Sequence, residues 1–217
     1  MDRQPRRAIE RENATEILAT LGTPTALADI RDHAIFSIGW LTALRRSNIG
    51  ALRRRDVAIR TDRLDGRRYL DVFVRRSKTD QEGHGRNIVV SELPGQHPLC
   101  AVRALERWLA ALELAPDAPI FQSFTLARRH EDRHLTGNAI RGADISRVIK
   151  RMLARAGIDP TEYAAHSLRR GFATTMQNAG VPDAIGMDHG GWRDKATYHR
   201  YNRVDKARRN AIRDLFG

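Results

Sequence analysis

The chain has 217 residues, with 38 Lys+Arg against 26 Asp+Glu and a formal net charge of +12. This length suits one well-buried core, or one domain with a small appendage, and the single cysteine, Cys100, excludes an internal disulfide and a multi-cysteine zinc site. No apolar run reaches the ~18 residues of a membrane span, and the basic start MDRQPRRAIE lacks the apolar stretch of a secretory signal, so a soluble cytoplasmic protein is expected.

A pI near 11 points to a polyanionic partner, nucleic acid first. The basic residues are arginines spread along the chain rather than a lysine-rich tail, which favours a folded positive surface.

In chain order, residues 13–21 read as a short helix stopped by Gly22 and Pro24. A longer helix opens at Thr25 or Asp29 and runs through Leu44, because Ile30, Ala34, Ile35, Ile38, Leu41 and Leu44 recur at three- and four-residue steps. A short turn of helix covers 47–54. Residues 57–61 and 69–75 are strand-like around an Asp65-Gly66 turn, and 88–91 is a third strand. The polar, glycine-bearing segment 77–86 lies between the last two. Helices return from Pro98 to about Leu114, then over 136–156, 167–179, 182–187 and 204–215, with Gly157 and Gly180 as stops. The expected class is mainly α with one small antiparallel β-sheet (α+β).

Four groups of residues carry candidate chemistry. His166 and Arg169 stand three apart at a helix start, so both can face one side of it. Free N–H groups there suit a phosphate, and an arginine fork grips two of its oxygens. Arg45 follows a strongly apolar stretch, so its charge requires either an internal carboxylate or an anionic ligand. Lys78, in Arg76-Ser77-Lys78-Thr79-Asp80, is either a solvated cation or a mobile acid reaching into a site. Tyr201 follows Trp192 by nine residues (192 + 9 = 201) and is ringed by basic residues. A tyrosine so placed is either a packing aromatic or a nucleophile whose phenol needs cations or a base to ionise. Each motif alone is weak, and an ordinary helix start, salt bridge, surface lysine or core aromatic would read the same.

Taken in order and spacing, these motifs resemble the tyrosine recombinase, or phage integrase, family along nearly the whole chain. Thr42-Ala43-Leu44-Arg45-Arg46-Ser47-Asn48-Ile49 through Val57 resembles the family's first-arginine box. Lys78 sits where the family keeps its catalytic lysine. His166-Ser167-Leu168-Arg169-Arg170-Gly171 resembles its His-x-x-Arg box, Trp192 a position held by histidine or tryptophan, and Tyr201 the nucleophile. Two positions depart from the pattern. Ala43 stands where glycine is usual, and Asn48 where an acid is usual, which leaves the fine geometry open. A nine-residue step from His189 would end instead at Tyr198 (189 + 9 = 198). The pairing of Trp192 with Tyr201 is preferred, because the chain then continues into the last helix as in the family.

The resemblance implies the catalytic domain fold of tyrosine recombinases over residues 1–217. The family's preceding DNA-clamping (core-binding) domain is expected to be absent from this chain, since the first box starts near residue 40. It implies a site-specific recombinase that cleaves double-stranded DNA through a 3′-phosphotyrosyl link to Tyr201. Arg45 and Arg169 would neutralise the phosphate, Lys78 would protonate the leaving 5′-oxygen, His166 would assist proton movement, and Trp192 would donate its indole N–H or buttress the pocket. Neither metal nor nucleotide cofactor is implied, because the arginines supply the positive charge and the phosphoryl bond energy is kept. The partners implied are duplex DNA and three further copies in a homo-tetramer, with a monomer possible when free. The setting implied is a bacterial or phage-derived, nucleoid-associated enzyme in the cytoplasm.

Three rival readings stand beside this one. His130-Glu131-Asp132-Arg133-His134 matches the H-E-x-x-H zinc-protease pattern, but its flanks, Arg128, Arg129 and Thr136-Gly137-Asn138, offer almost no apolar face for a buried helix. A type IB topoisomerase shares the tyrosine chemistry but would relax supercoils without choosing a site. A non-cutting DNA-binding remnant would tend to have lost some of the polar set.

Overall fold

The computed structural model describes residues 6–75, 84–125 and 134–199. Eight helices and five strands are formed there. They are α1 (Arg11–Leu21), α2 (Leu27–Leu41), α3 (Arg46–Ala51), β1 (Val57–Thr61), β2 (Arg68–Val74), β3 (Arg86–Ser91), α4 (Ala101–Ala110), β4 (Gln122–Phe124), β5 (Leu135–Ala139), α5 (Gly142–Arg155), α6 (His166–Asn178), α7 (Asp183–Gly190) and α8 (Lys195–His199).

Helix α2 is buried on nearly every side, through Ala34, Ile35, Phe36, Ile38 and Trp40 among others, and packs on α4, α5 and α6. Such an all-round apolar helix belongs at the centre of a domain. By contrast α5 is amphipathic: Ile145, Val148, Ile149, Met152 and Leu153 form its buried stripe. Two buried charges lock these elements together. Asp32 pairs with Arg31 at 2.7 Å and also with Arg151 of α5, while Arg31 donates to the Gln122 carbonyl of β4 at 2.8 Å.

The expected three-stranded sheet forms in the order β1-β2-β3, antiparallel throughout. Leu70, Val72 and Val74 alternate inward along β2, opposite Ile88 and Val90 of β3, and α4 covers that face. The β1–β2 turn closes with Gly66 at φ 71°, the left-handed conformation a non-glycine residue avoids.

Three expectations need correction. The helix read over 136–156 starts only at Gly142, because the preceding residues form β5, which pairs with the unexpected β4. Thr136, Gly137 and Asn138 contribute no apolar stripe, and Gly137 donates to the Gln122 side chain at 3.0 Å. Helix α2 stops at Leu41 rather than Leu44, and α4 spans Ala101–Ala110 rather than 98–114. Helix α8 was not anticipated; the helix expected over 204–215 lies outside the described residues.

An N-terminal strap fixes α6. Ile9 donates to the Ser167 carbonyl at 3.0 Å, and its own carbonyl accepts the Trp40 indole N–H at 2.7 Å. That carbonyl would lie 1.6 Å from a side-chain carbon at position 171, so only glycine admits the strap across α6.

Candidate functional site

The site is built where α2 ends, α6 begins and α7 ends. Beyond α2 the chain reverses at Ala43, whose φ of 51° lies in the left-handed region. This conformation is strained for a residue with a β-carbon and explains why glycine is the usual occupant in the family pattern. The reversal lays Leu44 in the core and puts Arg45, half-buried, at the entry to α3 with extended backbone. Among the described residues Arg45 has no ion-pair partner.

Arg169, one turn into α6, is only 2% exposed. Its Nη1 donates to the Ala43 carbonyl at 2.5 Å and to the Gly190 carbonyl at 2.6 Å. Its guanidinium carbon lies 3.6 Å from the centre of the Trp192 ring, a close cation–π contact. A single guanidinium therefore joins the first-arginine box, the end of α7 and the tryptophan.

His166 is the first residue of α6. Loss of surrounding water, then the charges of Arg169, Arg170, Arg45 and Arg46, hold its imidazole down to about 4. The ring is thus neutral at physiological pH. Arg169 stands one turn further along α6 and bonds the carbonyl of Ala43, two residues before Arg45.

The end of α7 is a Schellman turn: Trp192 N–H donates to the Met187 carbonyl at 2.9 Å and Gly191 N–H to the Asp188 carbonyl at 3.0 Å, with Gly191 at φ 67°. Arg86, the first residue of β3, adds Nη1 bonds to the Asp188 carbonyl at 3.2 Å and the His189 carbonyl at 2.8 Å. Burial pulls the Arg86 guanidinium below its ordinary value, opposed by Asp188 and reinforced by Arg45. Nothing in the sequence signalled Arg86, since an arginine at a strand start usually points to solvent.

Trp192 is 7% exposed and leans against Tyr198, ring centres 5.1 Å apart. Gly190 has no space for a β-carbon, which would lie 1.7 Å from the Trp192 ring. His189, the alternative to Trp192, faces elsewhere: its Nε2–H donates to the Leu41 carbonyl at 2.7 Å and its ring stacks on Phe172. Tyr198, the alternative nucleophile, is 0% exposed, and burial pushes its phenol above the usual range. Both features suit packing rather than attack.

Arg45, His166, Arg169 and Trp192 are thus brought to one region. Lys78 and Tyr201 lie outside the described residues, as does most of the His130–His134 motif. Among the described residues, no three metal-ligating side chains cluster, and no helix is long and apolar enough to cross a membrane.

The model of the phage integrase family matches residues 7–208, and the chain belongs to that family. It is 30% identical over 185 residues to an integrase/recombinase xerD homolog of Selenomonas ruminantium, covering 85% of this chain and 50% of that protein. It is 27% identical over 195 residues to the recombinase cre of Escherichia phage P1, covering 85% of this chain and 52% of that protein. In fold it is similar to the XerH site-specific recombinase bound to a palindromic difH substrate, with a TM-score of 0.69 and 17% identity over 98% of this chain and 54% of that one. The chain thus spans about half the length of the curated relatives it matches.

Proposed function

We propose that this chain is the catalytic part of a site-specific recombinase that breaks and rejoins double-stranded DNA through Tyr201. The observation that carries the reading is that Arg169, one turn from His166 on α6, bonds the Ala43 carbonyl beside Arg45 and lies over Trp192, with no carboxylate ion-paired to Arg45 among the described residues. A half-buried cation of this kind is stabilised by an anionic ligand.

In the reaction the Tyr201 phenolate oxygen attacks a DNA phosphorus. A tyrosyl–phosphate bond forms at the 3′ side, the bond to the 5′-oxygen breaks, and Lys78 gives that oxygen a proton. Arg45 at the rim and Arg169 at the floor stabilise the charge growing on the non-bridging oxygens. His166, neutral before DNA arrives, accepts or relays a proton at the phosphate. Trp192 buttresses Arg169. Rejoining reverses these steps with a different 5′-hydroxyl, so bond energy is conserved. Exchange between two duplexes would use a homo-tetramer assembled on DNA.

The test is covalent trapping. A pool of nicked duplexes with randomised cores is incubated with the protein, and covalent adducts are resolved on a denaturing gel and sequenced. Wild type and Tyr198→Phe should give a band enriched in one core sequence, and Tyr201→Phe none. A band that persists in Tyr201→Phe but vanishes in Tyr198→Phe would move the nucleophile, and no band in wild type would remove the cleavage reading. Unselective relaxation of plasmid, with no enriched sequence, would indicate a topoisomerase instead.

A further inference from the structure

We infer that Arg86 is a positioning residue for DNA cleavage, which holds Trp192 and the chain leading to Tyr201 in register with the β2–β3 hairpin; the cleavage part of this inference rests on the function proposed above.

The last carbonyls of a helix have no partners within it and carry its negative end. In α7 the carbonyls of Met187 and Asp188 receive the Schellman amides, leaving those of His189 and Gly190 for outside donors. Arg86 takes the first, at 2.8 Å, and shares the carbonyl of Asp188, while Arg169 takes the second at 2.6 Å. Two guanidinium groups from different elements thus clamp one helix end immediately before Trp192.

The clamp leaves little slack. A β-carbon at position 191 would lie 2.9 Å from the Arg86 Nε, so Gly191 passes flat against the guanidinium. Trp192, the next residue, then lies on Arg169. At its other end Arg86 is paired with Val74 across the β2–β3 ladder, and the segment between those two strands contains Lys78. Arg86 is therefore a short connection between the strands that flank the proposed acid and the helix end that precedes the proposed nucleophile. Displacing either group by about 1 Å is enough to slow a positioned reaction about a hundredfold.

The role differs from a phosphate contact in what it predicts. Arg86→Ala and Arg86→Lys, made in the full 217-residue chain, should cleave the trapped duplex more slowly at saturating DNA, Ala by about a hundredfold and Lys by less, with the DNA concentration at half-saturation nearly unchanged. Guanidinium ion at millimolar concentration should restore part of the rate to Arg86→Ala and none to Arg86→Lys, which already fills the space. Independently of any cleavage, amide exchange at residues 189–192 should quicken in Arg86→Lys while that of α2 stays as in wild type. If Arg86→Ala fails to fold, the Lys variant's rate and exchange decide the matter. Wild-type cleavage at saturating DNA, or unchanged exchange at 189–192 in Arg86→Lys, would overturn the inference, and so would weakened DNA binding with an unaltered maximal rate. If wild type itself forms no adduct, the cleavage reading fails while the exchange measurement still tests the clamp.

Discussion

The guanidinium carbon of Arg169 lies over the ring of Trp192, 3.6 Å from its centre, while one of its nitrogens bridges the carbonyls of Ala43 and Gly190. Stacking and bridging both depend on a planar fork. A lysine keeps the charge but offers a point cation that cannot stack and bridge together.

Arg169→Lys should therefore fold but react poorly. Adduct formation at saturating DNA is expected to slow by about a hundredfold or more. Stability should fall by about 1–3 kcal/mol, from buried carbonyls left short of a donor. Single-turnover trapping and urea melts check the two parts. A lysine variant that cleaves within about threefold of wild type would show that charge alone is needed here.

Much of this site was legible in the sequence because its chemistry travels in short, ordered motifs. His166 and Arg169 share a helix turn, and Trp192 of a later motif lies against Arg169. The sheet was legible for the same local reason, since Leu70, Val72 and Val74 alternate and Asp65-Gly66 marks the turn. What escaped depends on contacts between distant segments. Strand β5 exists because β4 is beside it, and Thr136-Gly137-Asn138 has no pattern that says so. Arg86 looks like any strand-start arginine until α7 brings its carbonyls there. Spacing alone leaves Tyr198 beside Tyr201, and what the sequence does not show is that Tyr198 is fully buried with its hydroxyl against Gly186.

The neutrality of His166 gives a pH signature. Its folded value, about 4, lies below the ordinary 6.5. Between those values the unfolded chain binds more protons than the folded one, so stability rises with pH across that window. The contribution is complete above about 6.5 and is lost as pH falls toward 4. An anionic phosphate entering among Arg45, Arg46 and Arg169 offsets the charges that depress the ring, so DNA should move its titration upward. Carbon-detected NMR of the imidazole, with and without a bound duplex, measures both values. A free-protein midpoint near 6.5, or one that duplex leaves in place, would contradict the electrostatic account.

Tyr198 and Gly186 provide a test of how the segment before Tyr201 is seated. A β-carbon at position 186 would fall 2.1 Å from the Tyr198 hydroxyl oxygen and 3.0 Å from the ring carbon that bears it. The ring is rigid and fully buried, so it cannot yield as a flexible chain would. Gly186→Ala should cost about 1–3 kcal/mol by overpacking, although alanine is the better helix former. Tyr198→Phe removes the atom that clashes first. In that background the penalty of Gly186→Ala should shrink by about 1 kcal/mol, the interaction energy of a contacting pair. Urea melts of the wild type, both single variants and the double variant close this cycle, and trapping shows in parallel that Tyr198→Phe still forms the adduct. Equal penalties in the two backgrounds would mean that the hydroxyl does not set the spacing between α7 and α8, and that Gly186 is needed for a different reason.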